Sequence, residues 1–113
     1  MRFSGHVDVE NSEFDLEFKE LIVRPSEIAF ELKGYDEFGE FRADGTAAKL
    51  SGGGFSAVAV ARYEGFPPED DQTEFSLLLD EVEVSDAGTV CRVAGKWIER
   101  PDRWSFSGEL EKA

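Results

Sequence analysis

From Arg2 to Glu10 the chain alternates strictly, with Phe3, Gly5, Val7 and Val9 on one parity and Arg2, Ser4, His6, Asp8 and Glu10 on the other. A period of two places one face of an extended strand on a core and the other in water. The same period returns along most of the chain. Glu27 to Lys33 carries Ile28, Phe30 and Leu32 inward, Thr89 to Glu99 carries Cys91, Val93, Gly95 and Trp97, and the last segment carries Trp104, Phe106, Gly108 and Leu110. Turn formers separate these runs at short intervals: Asn11-Ser12, Arg24-Pro25, Asp86-Ala87-Gly88 and Arg100-Pro101-Asp102. No segment has a helical repeat long enough for the crossover that a parallel sheet needs. The pattern therefore predicts an all-β chain, an antiparallel up-and-down meander of about eight or nine strands closing into a small barrel.

Closure has its own signal. Phe3-Ser4-Gly5 opens the first strand and Phe106-Ser107-Gly108 lies in the last. If these two strands pair, the sheet has no free edge to template aggregation. Closure also demands curvature, and the stretch Gly34 to Gly45, GYDEFGEFRADG, is the place to expect it. Gly34 and Asp36 flank a reversal there, and Asp44-Gly45 is a hairpin signal that makes Thr46 to Leu50 a separate short strand. Gly39 reads as a bulge returning Phe38 and Phe41 to one face.

Residues 13 to 23 are ambiguous. Phe14, Leu16 and Phe18 alternate like a strand, whereas Phe14, Phe18, Leu21 and Ile22 follow helical spacing behind Ser12 and Asp15, which resemble a capping box. Strand is favoured by the aromatic, β-branched content, with a short helix across one barrel mouth as the alternative. Phe75 to Val84 switches parity near Asp80-Glu81, which implies a bulge. Gly65 to Gln72, GFPPEDDQ, reads as an acidic loop.

At 113 residues the chain is read as one domain, 1–113, able to bury about two-thirds of its unfolded surface. Twelve basic against 25 acidic residues give a net charge of −13, spread along the chain. Phosphate backbones and anionic membrane surfaces are repelled by such a surface, so neither nucleic acid nor membrane is expected as a partner. Cys91 is the single cysteine, no apolar run approaches a membrane span, and Met1-Arg2-Phe3 begins at once with strand alternation rather than a signal peptide. A reducing cytoplasm is the expected location.

In the hairpin Gly34-Tyr35-Asp36-Glu37-Phe38-Gly39-Glu40-Phe41, the late Ala94-Gly95-Lys96-Trp97 and the closing Trp104-Ser105-Phe106-Ser107-Gly108, the chain resembles the small up-and-down β-barrels of the calycin type, the lipocalin-like and streptavidin-like group. That resemblance implies a barrel able to hold a small, often apolar ligand, in a protein that forms oligomers in some members. The chain departs from it in lacking an early Gly-x-Trp and any residue set matching a biotin site.

Catalytic and metal signals are weak. His6 is the only histidine and sits on a polar parity, Cys91 has no spaced companion, and Glu69-Asp70-Asp71 lacks the spacing of a calcium loop. Ser51-Gly52-Gly53-Gly54 lacks the Gly-Lys-Ser/Thr of a phosphate loop. The reading is a non-enzyme with no cofactor and no metal. Arg42, Arg62 and Arg92 interrupt apolar strands and would need a carboxylate or an anionic ligand if buried, although outward placement balancing the acids is favoured. Phe55 to Tyr63 is apolar on both parities, with Ala57, Ala59 and Ala61 against Val58 and Val60. Such a strand wants cover on both faces. The favoured function is self-assembly or binding of a protein partner; the alternative is a small apolar ligand inside the barrel, bordered by Ala57, Ala59, Ala61, Tyr63 and Trp97. The direction of the three alanines bears on this choice.

Overall fold

The computed structural model describes residues 1–10, 14–65 and 72–113. Eight strands follow in chain order: β1 (Arg2–Val9), β2 (Asp15–Val23), β3 (Glu27–Asp36), β4 (Gly39–Lys49), β5 (Phe55–Tyr63), β6 (Gln72–Val84), β7 (Val90–Glu99) and β8 (Asp102–Lys112). Each pairs antiparallel with the next, and β1 pairs with β8 from Phe3–Lys112 to Val9–Phe106, which closes the barrel. The Asn11-Ser12 turn, the proposed cap at Ser12 and most of the Gly65–Gln72 loop, including Glu69-Asp70-Asp71, lie outside the described residues.

The segment of mixed periodicity is a strand. Leu16 and Phe18 point inward, the β2–β3 register then shifts between Phe18 and Glu20, and Leu21 is returned to the core. This one inserted residue is what imitates helical spacing. β6 repeats the device where its parity switch predicts it: the register with β7 shifts between Leu79 and Glu81, so Phe75, Leu77 and Leu79 face inward before the bulge and Val82 and Val84 pack against the core after it.

The Gly34–Gly45 stretch is built differently from its sequence reading. The reversal falls at Glu37 and Phe38, between the paired residues Asp36 and Gly39. Gly39 leaves this turn at a φ of +115°, a backbone conformation that side chains disfavour. It is a turn residue, not a mid-strand bulge, and Phe38 is 63% exposed at the turn while Phe41 is fully buried. Asp44-Gly45 makes no hairpin. Both residues lie inside β4, opposite Glu31 and Phe30, and Thr46 to Lys49 continues the same strand.

Ring packing requires glycine at Gly34 and Gly45, and at Gly95 it adds to a closer approach of the Leu78 carbonyl. Gly34 pairs with Phe41, Gly45 with Phe30 and Gly95 with Phe106. A Cβ on Gly45 would meet Phe30 Cζ at 3.0 Å, and one on Gly34 would overlap the Phe41 ring. An eight-stranded barrel is just wide enough to be filled by its own side chains, so laying a ring across a bare backbone makes room for the next.

In β5 the alanines point inward. Ala57, Ala59 and Ala61 are buried, Val58 is 67% exposed and Val60 is intermediate. On β6 their paired neighbours are large: Leu77 lies beside Ala57 and Phe75 beside Ala59. Phe75 stacks face to face on Trp97 with ring centroids 3.5 Å apart, a bulky pair that small residues on the adjacent strand accommodate. Every buried side chain among the described residues is apolar.

Candidate binding site at one barrel mouth

In an up-and-down barrel, alternate connections share an end. The β3–β4 turn, the end of β5, the start of β6 and the β7–β8 turn therefore come together, and with them residues far apart in sequence. A cavity of about 520 Å³ opens there, lined by Phe14, Phe38, Tyr63, Trp97 and Trp104, by Thr73, and by Asp36, Glu37, Glu99 and Asp102.

The five aromatic side chains form a connected set. Phe14 lies edge-on to Trp97 at 5.2 Å and tilted to Trp104 at 6.1 Å. Tyr63 meets Phe38 at 6.3 Å with nearly perpendicular planes, and Phe41 behind them joins Tyr63 and Trp97, each at 5.4 Å. These are the offset and edge-to-face geometries that ring quadrupoles favour.

The polar lining is acidic, and two of its carboxylates are held in place. Asp36 Oδ1 accepts the Phe38 backbone N–H at 2.8 Å, and its Oδ2 accepts the Tyr63 hydroxyl at 2.5 Å. Trp97 Nε1–H donates to Glu99 Oε1 at 2.8 Å. Glu37 and Asp102 take no part in a side-chain hydrogen bond or ion pair among the described residues. Burial pushes the Tyr63 phenol well above the usual tyrosine range, and the hydrogen bond and negative charge of Asp36, then the charges of Glu99 and Glu37, add to the shift. The phenol therefore stays protonated and donates.

Of the residues expected to border a ligand, Tyr63 and Trp97 line this cavity. Ala57, Ala59 and Ala61 do not; they belong to the core packed within the wall. Arg42 and Arg92 point outward, 3.4 Å from Glu64 and 3.7 Å from Glu109, and Arg62 is exposed beside Arg42 on the neighbouring strand. His6 is exposed, 3.8 Å from Glu17. Cys91 is buried, and desolvation pushes its thiol up to about 11. No group of three or more metal-ligating side chains converges among the described residues.

Sequence reasoning missed Phe14, Asp36, Glu37, Phe38, Thr73, Glu99, Asp102 and Trp104 as site residues. The topology of a meander was the available signal, since residues beside every second turn must share one end.

No protein-family profile and no curated protein matches this sequence. The resemblance the fold does bear out is architectural: eight antiparallel strands in an up-and-down order, closed into a barrel of calycin-like form.

Proposed function

We propose that this barrel is a small-molecule binding protein whose ligand enters the aromatic mouth. One observation carries the reading: five aromatic side chains, brought from separate segments, line a single cavity of about 520 Å³. Ligand sites are commonly concave, of roughly 300–1,000 Å³, rich in aromatic and apolar lining and set with a few fixed polar groups. Asp36, Tyr63 and Glu99 are such groups. They favour binding over catalysis, because the Tyr63 phenol is committed to Asp36 and its ionisation is suppressed, which leaves it a poor base or nucleophile. The buried lone thiol suits a reducing cytoplasm.

The test is a two-dimensional NMR screen of small fragments against the isotope-labelled chain. Binding predicts shifts concentrated at the Trp97 and Trp104 indole N–H signals and at the amides of Phe14, Asp36 and Tyr63. Fragments that shift only the outer face of the barrel, or none that shift the mouth, would overturn the reading.

Self-association is a second reading, supported by the outer face of β5–β7. Val58 is 67% exposed there, and the half-buried Leu78 and Ile98 lie on the same outer face. Sedimentation at high micromolar concentration tests it; a strict monomer sinks it.

A further inference from the structure

We propose that the ligand taken at this mouth is an organic cation, an ammonium group carrying alkyl or aryl substituents, held among the rings of Phe38, Tyr63 and Trp104 and neutralised by the surrounding carboxylates. The proposal rests on the small-molecule reading above and names its ligand class.

Among the described residues the cavity lining contains four carboxylate side chains, Asp36, Glu37, Glu99 and Asp102, and no lysine, arginine or histidine. Basic residues near this end face elsewhere: Arg100 and Arg103 lie with Leu78 and Pro101 on the outer surface, and Lys33 and Arg42 are drawn outward to Glu40 and Glu64. An anionic ligand would meet no counter-charge, and a neutral one would leave the field unused. The net charge of −13 extends the same attraction beyond the mouth.

A calcium-like ion requires several oxygens converging at bonding distance. Here the described acidic groups do not converge. They are distributed around the cavity, with Asp36 tied to Tyr63 and the Phe38 amide and Glu99 tied to Trp97. A distributed negative rim around aromatic faces suits a large, weakly hydrated cation, whose charge is spread over its substituents and is attracted by the ring quadrupoles. The two bonded carboxylates are fixed before the ligand arrives. The two free ones, Glu37 and Asp102, supply charge from the edge.

The experiment compares two probes of the same shape, (4-hydroxyphenyl)trimethylammonium and 4-tert-butylphenol, by calorimetry and by the NMR shifts of the mouth residues. The cation is expected to bind at least about tenfold tighter than its neutral isostere, as cation–π and carboxylate attraction together require. Raising salt should narrow the difference, because the rim is open to solvent. Glu37→Gln with Asp102→Asn should weaken the cation severalfold and leave the phenol unchanged; both positions are exposed and outside the core, so the fold does not depend on them. Equal or tighter binding of the phenol at the mouth would overturn the cation assignment while leaving the small-molecule reading in place. Failure of both probes to perturb the mouth at millimolar concentration would overturn both.

Discussion

Tyr63 Oη donates a 2.5 Å hydrogen bond to Asp36 Oδ2, tying the last residue of β5 to the last residue of β3 over the start of β4. The bond fixes the rim of the cavity in the same act as it closes the β3–β4 turn, because Asp36 also accepts the Phe38 N–H. Tyr63→Phe removes the donor and keeps the ring contacts with Phe38 and Phe41. The loss should be about 1–2 kcal/mol, the cost of a partly buried hydrogen bond to a charged acceptor. Urea unfolding measures it, and an unchanged midpoint would show that the bond contributes nothing to stability.

Close approach at Gly95 leads to a sharper expectation. A Cβ there would overlap the Leu78 carbonyl oxygen and meet Phe106 Cζ at 3.0 Å, whereas one at Gly52 would meet nothing within 4 Å. Backbone cannot swing aside as a side-chain tip can. Gly95→Ala should therefore cost at least the roughly 1–3 kcal/mol of an overpacked core. Gly52→Ala should stay within about 0.5 kcal/mol of the parent. Melting curves of the two variants side by side decide it, and equal stability would refute the packing role of Gly95.

These glycines mark where the sequence was readable and where it was not. Inward residues followed parity wherever a strand kept its register, as in Ile28, Phe30 and Leu32, and a parity switch near Asp80 located a bulge. Asp44-Gly45 misled because glycine serves two physical needs that look alike in one dimension. A tight turn needs its backbone freedom; a ring lying across the strand needs only its missing side chain, and at Gly45 the ring of Phe30 is the cause. Two partly redundant signals, antiparallel alternation and matching ends, made the closed barrel legible. Beyond Tyr63 and Trp97 the mouth was not legible, since Phe14, Asp36, Glu99 and Asp102 share no motif with them and meet them only because the strand order puts every second turn at one end.

Alkaline pH should weaken the fold in two overlapping steps. Burial raises the Cys91 thiol from 9.0 to about 11, and Tyr63 is raised above its ordinary value of 10.0. Between the unfolded and folded values of each group the unfolded chain has released the proton and the native chain still holds it, so stability falls as pH rises. The contribution of Cys91 is complete below pH 9 and is lost from there towards pH 11; that of Tyr63 begins to decline above pH 10. Unfolding midpoints taken at intervals from pH 8 to pH 11 should drop, and Cys91→Ala should flatten the part of the slope that starts at pH 9. A parallel slope in the variant would assign the effect to other groups.

Ala59 and Val58 are neighbours on β5 with opposite fates, one 6% and the other 67% exposed. Ala59 sits beside Phe75, whose ring is stacked on Trp97, so a longer side chain there must displace the stack or push the wall outward. Ala59→Leu should destabilise by about 1–3 kcal/mol, the ordinary cost of adding methylenes to a filled core. It should also shift the fluorescence of Trp97. Val58→Lys places a charge in water and should change stability by no more than about 0.5 kcal/mol. If the protein self-associates through the outer face of β5–β7, that same variant should dissociate the assembly in sedimentation without lowering the melting temperature of the monomer. The reverse pattern, a tolerated Ala59→Leu and a damaging Val58→Lys, would mean that β5 presents its valines to the core.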